Sequence, residues 1–276
     1  MTTLKSSHVI KAKPFLRWAG GKTWLLKHLT NVKKYDFNNY HEAFLGGAAT
    51  FFYLEPKGHA FLSDLNKNLI ETYNVVKTDV EDVIKRLKLF TNDEQSYYRI
   101  RESTYESPVE RAAQFIYLNQ TSYNGLYRVN LKGKYNVPYG FRKKMYIVDD
   151  NLRRVSLSLQ NANIFSGDFS SVLCNLKERD LVFLDPPYTV SHNNNGFIEY
   201  NEKIFSLNDQ IRLSEMIGAI KEKNAFYILT NAAHKTVDSI FERGDQKFEL
   251  TRGNGIGGHK AQRGQTTEYI FTNIKL

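Results

Sequence analysis

Residues 180–190 read DLVFLDPPYTV, and the reading of this stretch decides the fold. Leu181, Val182, Phe183 and Leu184 form an unbroken apolar run, the pattern of a strand that a parallel sheet buries on both faces. The run stops at Asp185, and Pro186, Pro187 and Tyr188 follow. Proline locks φ and cannot donate to a β ladder, so a Pro-Pro pair ends a strand efficiently. Taken alone, the stretch has two readings. One is a stiff loop. The other is a binding site, because open α/β sheets take ligands at the carboxyl ends of their strands.

Working outward, residues 40–44, 60–62, 163–165 and 225–229 also read as strands. Asp64 follows the strand at 60–62, Asp168 follows the one at 163–165, and Thr230-Asn231 follows the last. Helical patterns lie between them. Residues 25–29 form a short one, and residues 68–90 read as one long segment with Ile70, Tyr73, Val76, Val80, Val83, Ile84 and Leu87 near helical spacing. Ser206-Leu207-Asn208-Asp209 opens another, continued by Ile211, Leu213, Met216, Ile217 and Ile220. This alternation predicts an α/β fold with a mainly parallel sheet. Near the end, residues 248–250 and 269–271 read as an antiparallel pair on the sheet edge.

The alternation breaks between about residues 91 and 160. Residues 109–118 are helical in pattern, and residues 119–144 read NQTSYNGLYRVNLKGKYNVPYGFRKK. Residues 127–130 and 135–137 predict a β-hairpin turning near Gly133. It is too polar for core and too patterned for a linker, so the region reads as an insert.

Composition narrows the function classes. Net charge +9 and many Tyr and Phe suit a polyanionic partner with stackable bases, although a basic chain can be basic for solubility alone. The single cysteine, Cys174, excludes an intrachain disulfide framework and a Cys-based zinc site. No apolar run approaches the ~20 residues of a membrane span, and residues 1–13 are polar and basic, so a chain in the cytoplasm without a signal peptide is expected.

Three motifs remain. FLRWAGGKTWLL at 15–26 ends a Gly-Gly turn in Lys22-Thr23, but Leu16 stands where a P-loop needs glycine, so nucleoside triphosphate binding is rejected. What is left is either an anion-ready turn or a plain helix start. HEAFLGGAATFF at 41–52 puts Gly46-Gly47 and small residues after a strand, which permits close approach of a ligand. Asp64 in AFLSDLN at 60–66 suits a ribose diol, or equally the N-cap of the next helix.

Together, and in this order, WAGGK at 18–22, E-x-F-x-G-G at 42–47, D-x-N at 64–66, the YNG-L-x-R-x-N…NVP-x-G hairpin at 123–140 and DPPY at 185–188 resemble the adenine-N6 DNA methyltransferases of the Dam type, the DpnM-like D12 class. The resemblance covers nearly the whole chain. Two positions depart from it: Ala43 and Ala48 stand where the family commonly has Pro and Gly.

The resemblance implies a Rossmann-like S-adenosylmethionine-dependent methyltransferase sheet formed by residues 1–66 and 161–276. A mainly helical target-recognition domain carrying the hairpin is implied for 67–160. It implies S-adenosylmethionine and no metal, with Trp18, Ala19, Gly20, Lys22, Glu42, Phe44, Gly46, Asp64, Leu65, Asp168, Phe169 and Asp185 around the cofactor. Asp185, Pro186, Pro187 and Tyr188 are implied as catalytic. Tyr123, Asn124, Leu126, Arg128, Asn130, Pro138, Arg142, Lys143 and Lys144 are implied to contact double-stranded DNA, with GATC as the expected target and GATATC as the alternative. Residues 192–200 and 253–264 read as loops closing over the site. A cognate restriction endonuclease encoded nearby, a monomer in solution and a bacterial or phage-infected host cell complete the expectations. An RNA or protein methyltransferase and a non-catalytic DNA-binding module are the rival classes. The first lacks this hairpin, and the second has no use for an intact DPPY.

Overall fold

The computed structural model describes residues 11–130, 132–142, 149–188, 205–253 and 265–276. It holds a mixed α/β architecture with a seven-stranded sheet. By contact the chain divides into two compact units. One comprises Met1–Leu26, Gly46–Glu55 and Asn66–Ile164; the other comprises Lys27–Leu45, Pro56–Leu65 and Phe165–Leu276.

The sheet contains β1 (Tyr40–Glu42), β2 (Ala60–Asp64), β3 (Ala162–Ser166), β4 (Leu181–Leu184), β5 (Phe226–Ala232), β6 (Gln246–Gly253) and β7 (Gln265–Thr272) in the order β3-β2-β1-β4-β5-β7-β6. All four residues of β4 are buried, as the apolar run predicts, because β4 pairs in parallel with β1 on one side and β5 on the other. Glu42 stands opposite Phe183, and Leu184 opposite Leu229. From β1 the chain proceeds to β2 on one side; from β4 it proceeds to β5 on the other. The order therefore reverses between β1 and β4, which makes their carboxyl ends the topological switch point of the sheet.

The antiparallel pair expected near the end is present and longer than its apolar cores, with β7 pairing antiparallel to both β5 and β6. In the same unit, α8 (Leu207–Glu222) begins where Ser206 and Asp209 form a capping box. Its Leu213, Ile217 and Ile220 join Val182, Leu184, Leu229 and Phe271 in the core. A short helix α7 (Val172–Asn175) precedes β4, and α9 (Lys235–Phe241) follows β5. At the opposite end of the strands, buried Asp180 accepts from the Asn39 amide, the Lys177 backbone N–H and the His41 ring. Burial lowers the His41 pKa, partly offset by Asp180.

The other unit is mainly helical: α1 (Ala49–Leu54), α2 (Lys67–Thr78), α3 (Val80–Lys88), α4 (Glu94–Glu102), α5 (Pro108–Thr121) and α6 (Asp149–Leu159). The single helix read over 68–90 is two. Asp79 leaves helical geometry at φ −127° and ψ 37°; its N–H still closes α2 on Val75 O, while its carbonyl receives Val83 and opens α3. A hydrophobic stripe continues across this break because both helices bury their apolar residues, which is why periodicity alone missed it. The short pattern at 25–29 is a 3₁₀ turn, Leu26–Leu29, rather than an α-helix. The predicted hairpin forms: Val129 bridges Tyr135, Asn130 N–H donates to Lys134 O at 2.8 Å, and Gly133 turns with φ 74°. Among the described residues, no helix is long and apolar enough to cross a membrane.

Candidate active site

In the unit built around the sheet, the sequence-predicted acids and aromatics fall at the carboxyl ends of adjacent strands. Phe44 follows β1, Asp64 ends β2, Asp168 and Phe169 follow β3, and Asp185 follows β4. The Phe44 ring stacks on Phe169 at 5.7 Å between centroids and meets Phe205 edge-on at 5.6 Å. Phe205 is buried and was not singled out from sequence. The Asp64 carbonyl accepts the Gly167 N–H at 3.2 Å, tying the ends of β2 and β3. Asp64 is half-buried and Leu65 exposed; the N-cap of α2 is Asn66, whose side chain accepts from Leu69 N–H. The capping alternative for Asp64 is thereby removed.

Asp168 has two structural partners. It caps the turn Phe169–Ser171 through the Ser170 N–H, and it pairs with Arg212 of α8 at 2.9 Å. Partial burial works to raise its pKa, but the Ser170 bonds and the Arg212 guanidinium outweigh it and hold the carboxyl below its ordinary value. Arg212 also lies over the Phe169 ring at 4.8 Å. No sequence signal marked Arg212; it lies 44 residues from its acid. Glu42 is buried within β1 and accepts the Tyr40 phenol at 2.8 Å.

The DPPY turn follows the end of β4 as predicted, and strand order places that end at the switch point. Asp185 is half-buried, Pro186 buried and Tyr188 half-buried. The Thr230 hydroxyl on β5 donates to Asp185 Oδ1 at 2.6 Å, and the Tyr188 phenol donates to Glu268 on β7.

In the helical unit, the WAGGK turn folds locally. Gly21 N–H donates to Trp18 O at 3.1 Å, Gly20 adopts φ 81°, Ala19 is exposed, and buried Lys22 donates to Gly20 O at 2.9 Å. Trp18 stacks with Tyr127 at 5.6 Å and Phe115 at 6.5 Å, and those two rings lie 5.2 Å from each other. Gly46 adopts φ 46°, and a Cβ there would lie 2.7 Å from Trp18 Cδ1. Ala48 holds a left-handed φ of 54° while buried. The Gly common in the family takes this backbone freely, whereas an L-residue carries roughly 1–2 kcal/mol of strain. This is the structural meaning of the departure at 48.

The hairpin exposes Tyr123, Asn124, Arg128, Asn130 and Pro138, and half-buries Leu126 and Arg142. Asn124 takes φ 53°, tolerable for asparagine, and Tyr123 N–H donates to Pro138 O at 2.9 Å. Arg128 Nε donates to Asn136 at 2.8 Å, which braces the guanidinium along the hairpin. The Asn130 side chain accepts from the Lys132 and Lys134 N–H groups and so also shapes the turn. Tyr135 donates to Leu126 O at 2.6 Å, and burial pushes its pKa up to about 12. Lys143, Lys144, residues 192–200 and residues 254–264 lie outside the described residues.

At the strand ends of the sheet unit, the half-buried carboxylates of Asp64 and Asp185 and the stacked rings of Phe44 and Phe169 have the chemistry that a ribose diol, an amine and a purine require. Among the described residues, no group of three or more His, Cys, Asp or Glu is arranged to hold a metal ion. Fold and residues together define a class, and comparison with known proteins agrees. The family model for the D12 class N6 adenine-specific DNA methyltransferases matches residues 18–253, and the chain belongs to this family. It is 35% identical to the Type II methyltransferase M1.LlaDCHI of Lactococcus lactis over 98% of each chain. It is 38% identical to the Type II methyltransferase M.MjaIII of Methanocaldococcus jannaschii over 81% of this chain and 85% of that one. It is 32% identical to the DNA adenine methylase of Escherichia coli over 80% and 81%. The activity is methyl transfer to adenine N6 in DNA, and the family implies S-adenosylmethionine as donor.

Proposed function

We propose that the chain methylates the adenine of GATC in duplex DNA after flipping that base out of the helix. The observation that carries this reading is Asp185 at the carboxyl end of β4, at the β1/β4 switch point, with its carboxylate fixed by Thr230. A stacked base is out of reach of a strand-end carboxylate, so the target must leave the stack. The adenine amine is a weak nucleophile because its lone pair is delocalised into the ring. The Asp185 side chain and the Pro186 carbonyl accept from its N–H groups and favour the pyramidal, nucleophilic form. The Pro-Pro backbone fixes where that carbonyl points. Tyr188 gives the flipped base a flat face. S-adenosylmethionine supplies a methyl on a sulfonium, so positioning accounts for most of the catalysis.

Trp18, Ala19, Gly20 and Lys22 serve the methionine end of the cofactor, and Asp64 serves the ribose. Glu42, Phe44, Gly46, Leu65, Asp168 and Phe169 complete the cofactor residues. Residues 67–160 act as the target-recognition domain. There Arg128 suits a bidentate contact to guanine, Asn130 an adenine or a phosphate, and Tyr123 and Leu126 a wedge beside the flipped base. Asn124 and Pro138 belong to the same reading surface; Arg142, Lys143 and Lys144 hold phosphates. The Type II relatives support a partner endonuclease. The methyltransferase itself acts as a monomer in a bacterial or phage-infected cytoplasm.

The test is sequencing for N6-methyladenine after expression in a host whose DNA is unmethylated. Modified adenine throughout GATC is expected. Methylation confined to GATATC, or at adenines outside GATC, overturns the specificity, and label in RNA or protein alone overturns the duplex substrate.

A further inference from the structure

The DPPY turn is held by two residues that the family motifs do not include. Thr230 and Glu268 are both completely buried. Thr230 stands opposite Ile270 and Ala232 opposite Glu268 in the antiparallel pairing of β5 with β7. Directly opposed residues share a face, as do residues two apart along a strand, so Thr230 and Glu268 project from the same face of the sheet. Asn231 takes the other face and donates to Gln210 of α8 at 2.9 Å. From their shared face, Thr230 reaches Asp185 and Glu268 receives the Tyr188 phenol.

Neither residue is what packing alone selects. An acid within the buried strand β7 is costly unless something specific uses it. Valine would fill the Thr230 position with the same branched shape. The backbone of the turn is already stiffened by Pro186 and Pro187, but prolines do not restrain side chains. The Asp185 carboxylate can rotate, and the Tyr188 ring can swing about its own torsions. A hydroxyl donor on the carboxylate and an acceptor at the far end of the phenol restrain those two motions.

We propose that Thr230 and Glu268 are positioning residues for methyl transfer, Thr230 orienting the Asp185 carboxylate towards the amine and Glu268 holding the Tyr188 ring in the stacking plane. This rests on the roles given above to Asp185 and Tyr188. Hydrogen bonds to charged groups carry enough free energy that losing either should slow transfer about tenfold or more.

The experiment is single-turnover methylation of a GATC duplex by the full chain, with cofactor and DNA affinities measured alongside. T230V should lower the transfer rate about tenfold or more with both affinities within about twofold of wild type, and T230S, which keeps the hydroxyl, should restore it. E268L should lower the rate likewise, and E268Q, which keeps an accepting oxygen, should restore it. Y188F combined with E268L should be no slower than the worse single variant, since both remove one interaction. If T230V does not fold, the Glu268 and Tyr188 set decides. Serine and valine behaving alike, losses that appear in affinity rather than rate, or additive effects of Y188F and E268L overturn the proposal. A wild-type enzyme that transfers no methyl to duplex adenine overturns the functional reading itself, a result distinct from any of these.

Discussion

Replacing Gly46 with alanine puts the WAGGK turn under a defined stress. Gly46 adopts φ 46°, where an L-residue bears roughly 1–2 kcal/mol of strain. The new Cβ would also stand 2.7 Å from Trp18 Cδ1 and 2.9 Å from its Nε1, closer than real Cβ contacts come. The indole is stacked with Tyr127 and Phe115, so moving it disturbs both contacts. Forcing such overlap into packed surroundings costs about 1–3 kcal/mol. If instead the ring yields, each lost aromatic contact forfeits about 0.5–1.5 kcal/mol. Either route predicts a total loss of about 2–5 kcal/mol from the helical unit. Urea unfolding followed by circular dichroism and tryptophan fluorescence measures it, and titration with S-adenosylmethionine reads the effect on the proposed cofactor site. A shift under about 0.5 kcal/mol, the range of an ordinary surface change, with unaltered fluorescence would refute the packing argument.

Asp185→Ala should abolish methyl transfer while leaving the fold and most cofactor affinity intact; near wild-type turnover would remove Asp185 from the amine. Arg128→Ala should relax discrimination at one base pair by about 1–3 kcal/mol, whereas Arg142→Ala should weaken all duplexes alike and lower the salt slope by about one. Competition binding across single-base variants at several salt concentrations separates the two. The Asp168 pKa is depressed in the folded protein, so its contribution to stability is fully present above the unfolded value near 3.8 and is lost as pH falls through the lower folded value. Arg212→Gln should therefore reduce stability at neutral pH and flatten its decline in that acid window. Urea midpoints measured from neutral pH down past the unfolded value check this.

Much of the site is legible in the chain because its signals are local. An apolar run ending in Asp-Pro-Pro is a strand end whatever surrounds it, and β4 proves buried along its whole length. The Asn130–Gly133 turn likewise follows from residues close in sequence, and the hairpin forms where it was read. The helix α4 was not read because only Ser96, Tyr97 and Ile100 are buried along it, too thin a stripe to show a period. In α6, Leu152, Val155 and Leu159 do carry helical spacing, but their polar, Arg-rich neighbours obscure it.

The sequence by itself thus determined which segments are strands, that DPPY closes one of them, and, through the order of its motifs, the family. Tertiary structure alone decided that β1 and β4 are neighbours at a reversal of strand order, which is what turns the end of β4 into a site. It also decided that Asn66 rather than Asp64 caps α2, and that Arg212 neutralises Asp168. Thr230 and Glu268, 45 and 80 residues from their partners, carry no mark in the chain that assigns them to the turn. The physical reason is that periodicity and turn chemistry depend on near neighbours. Hydrogen-bond partners across a sheet depend on register, which is set only when distant strands pair and every buried polar group must be satisfied at once.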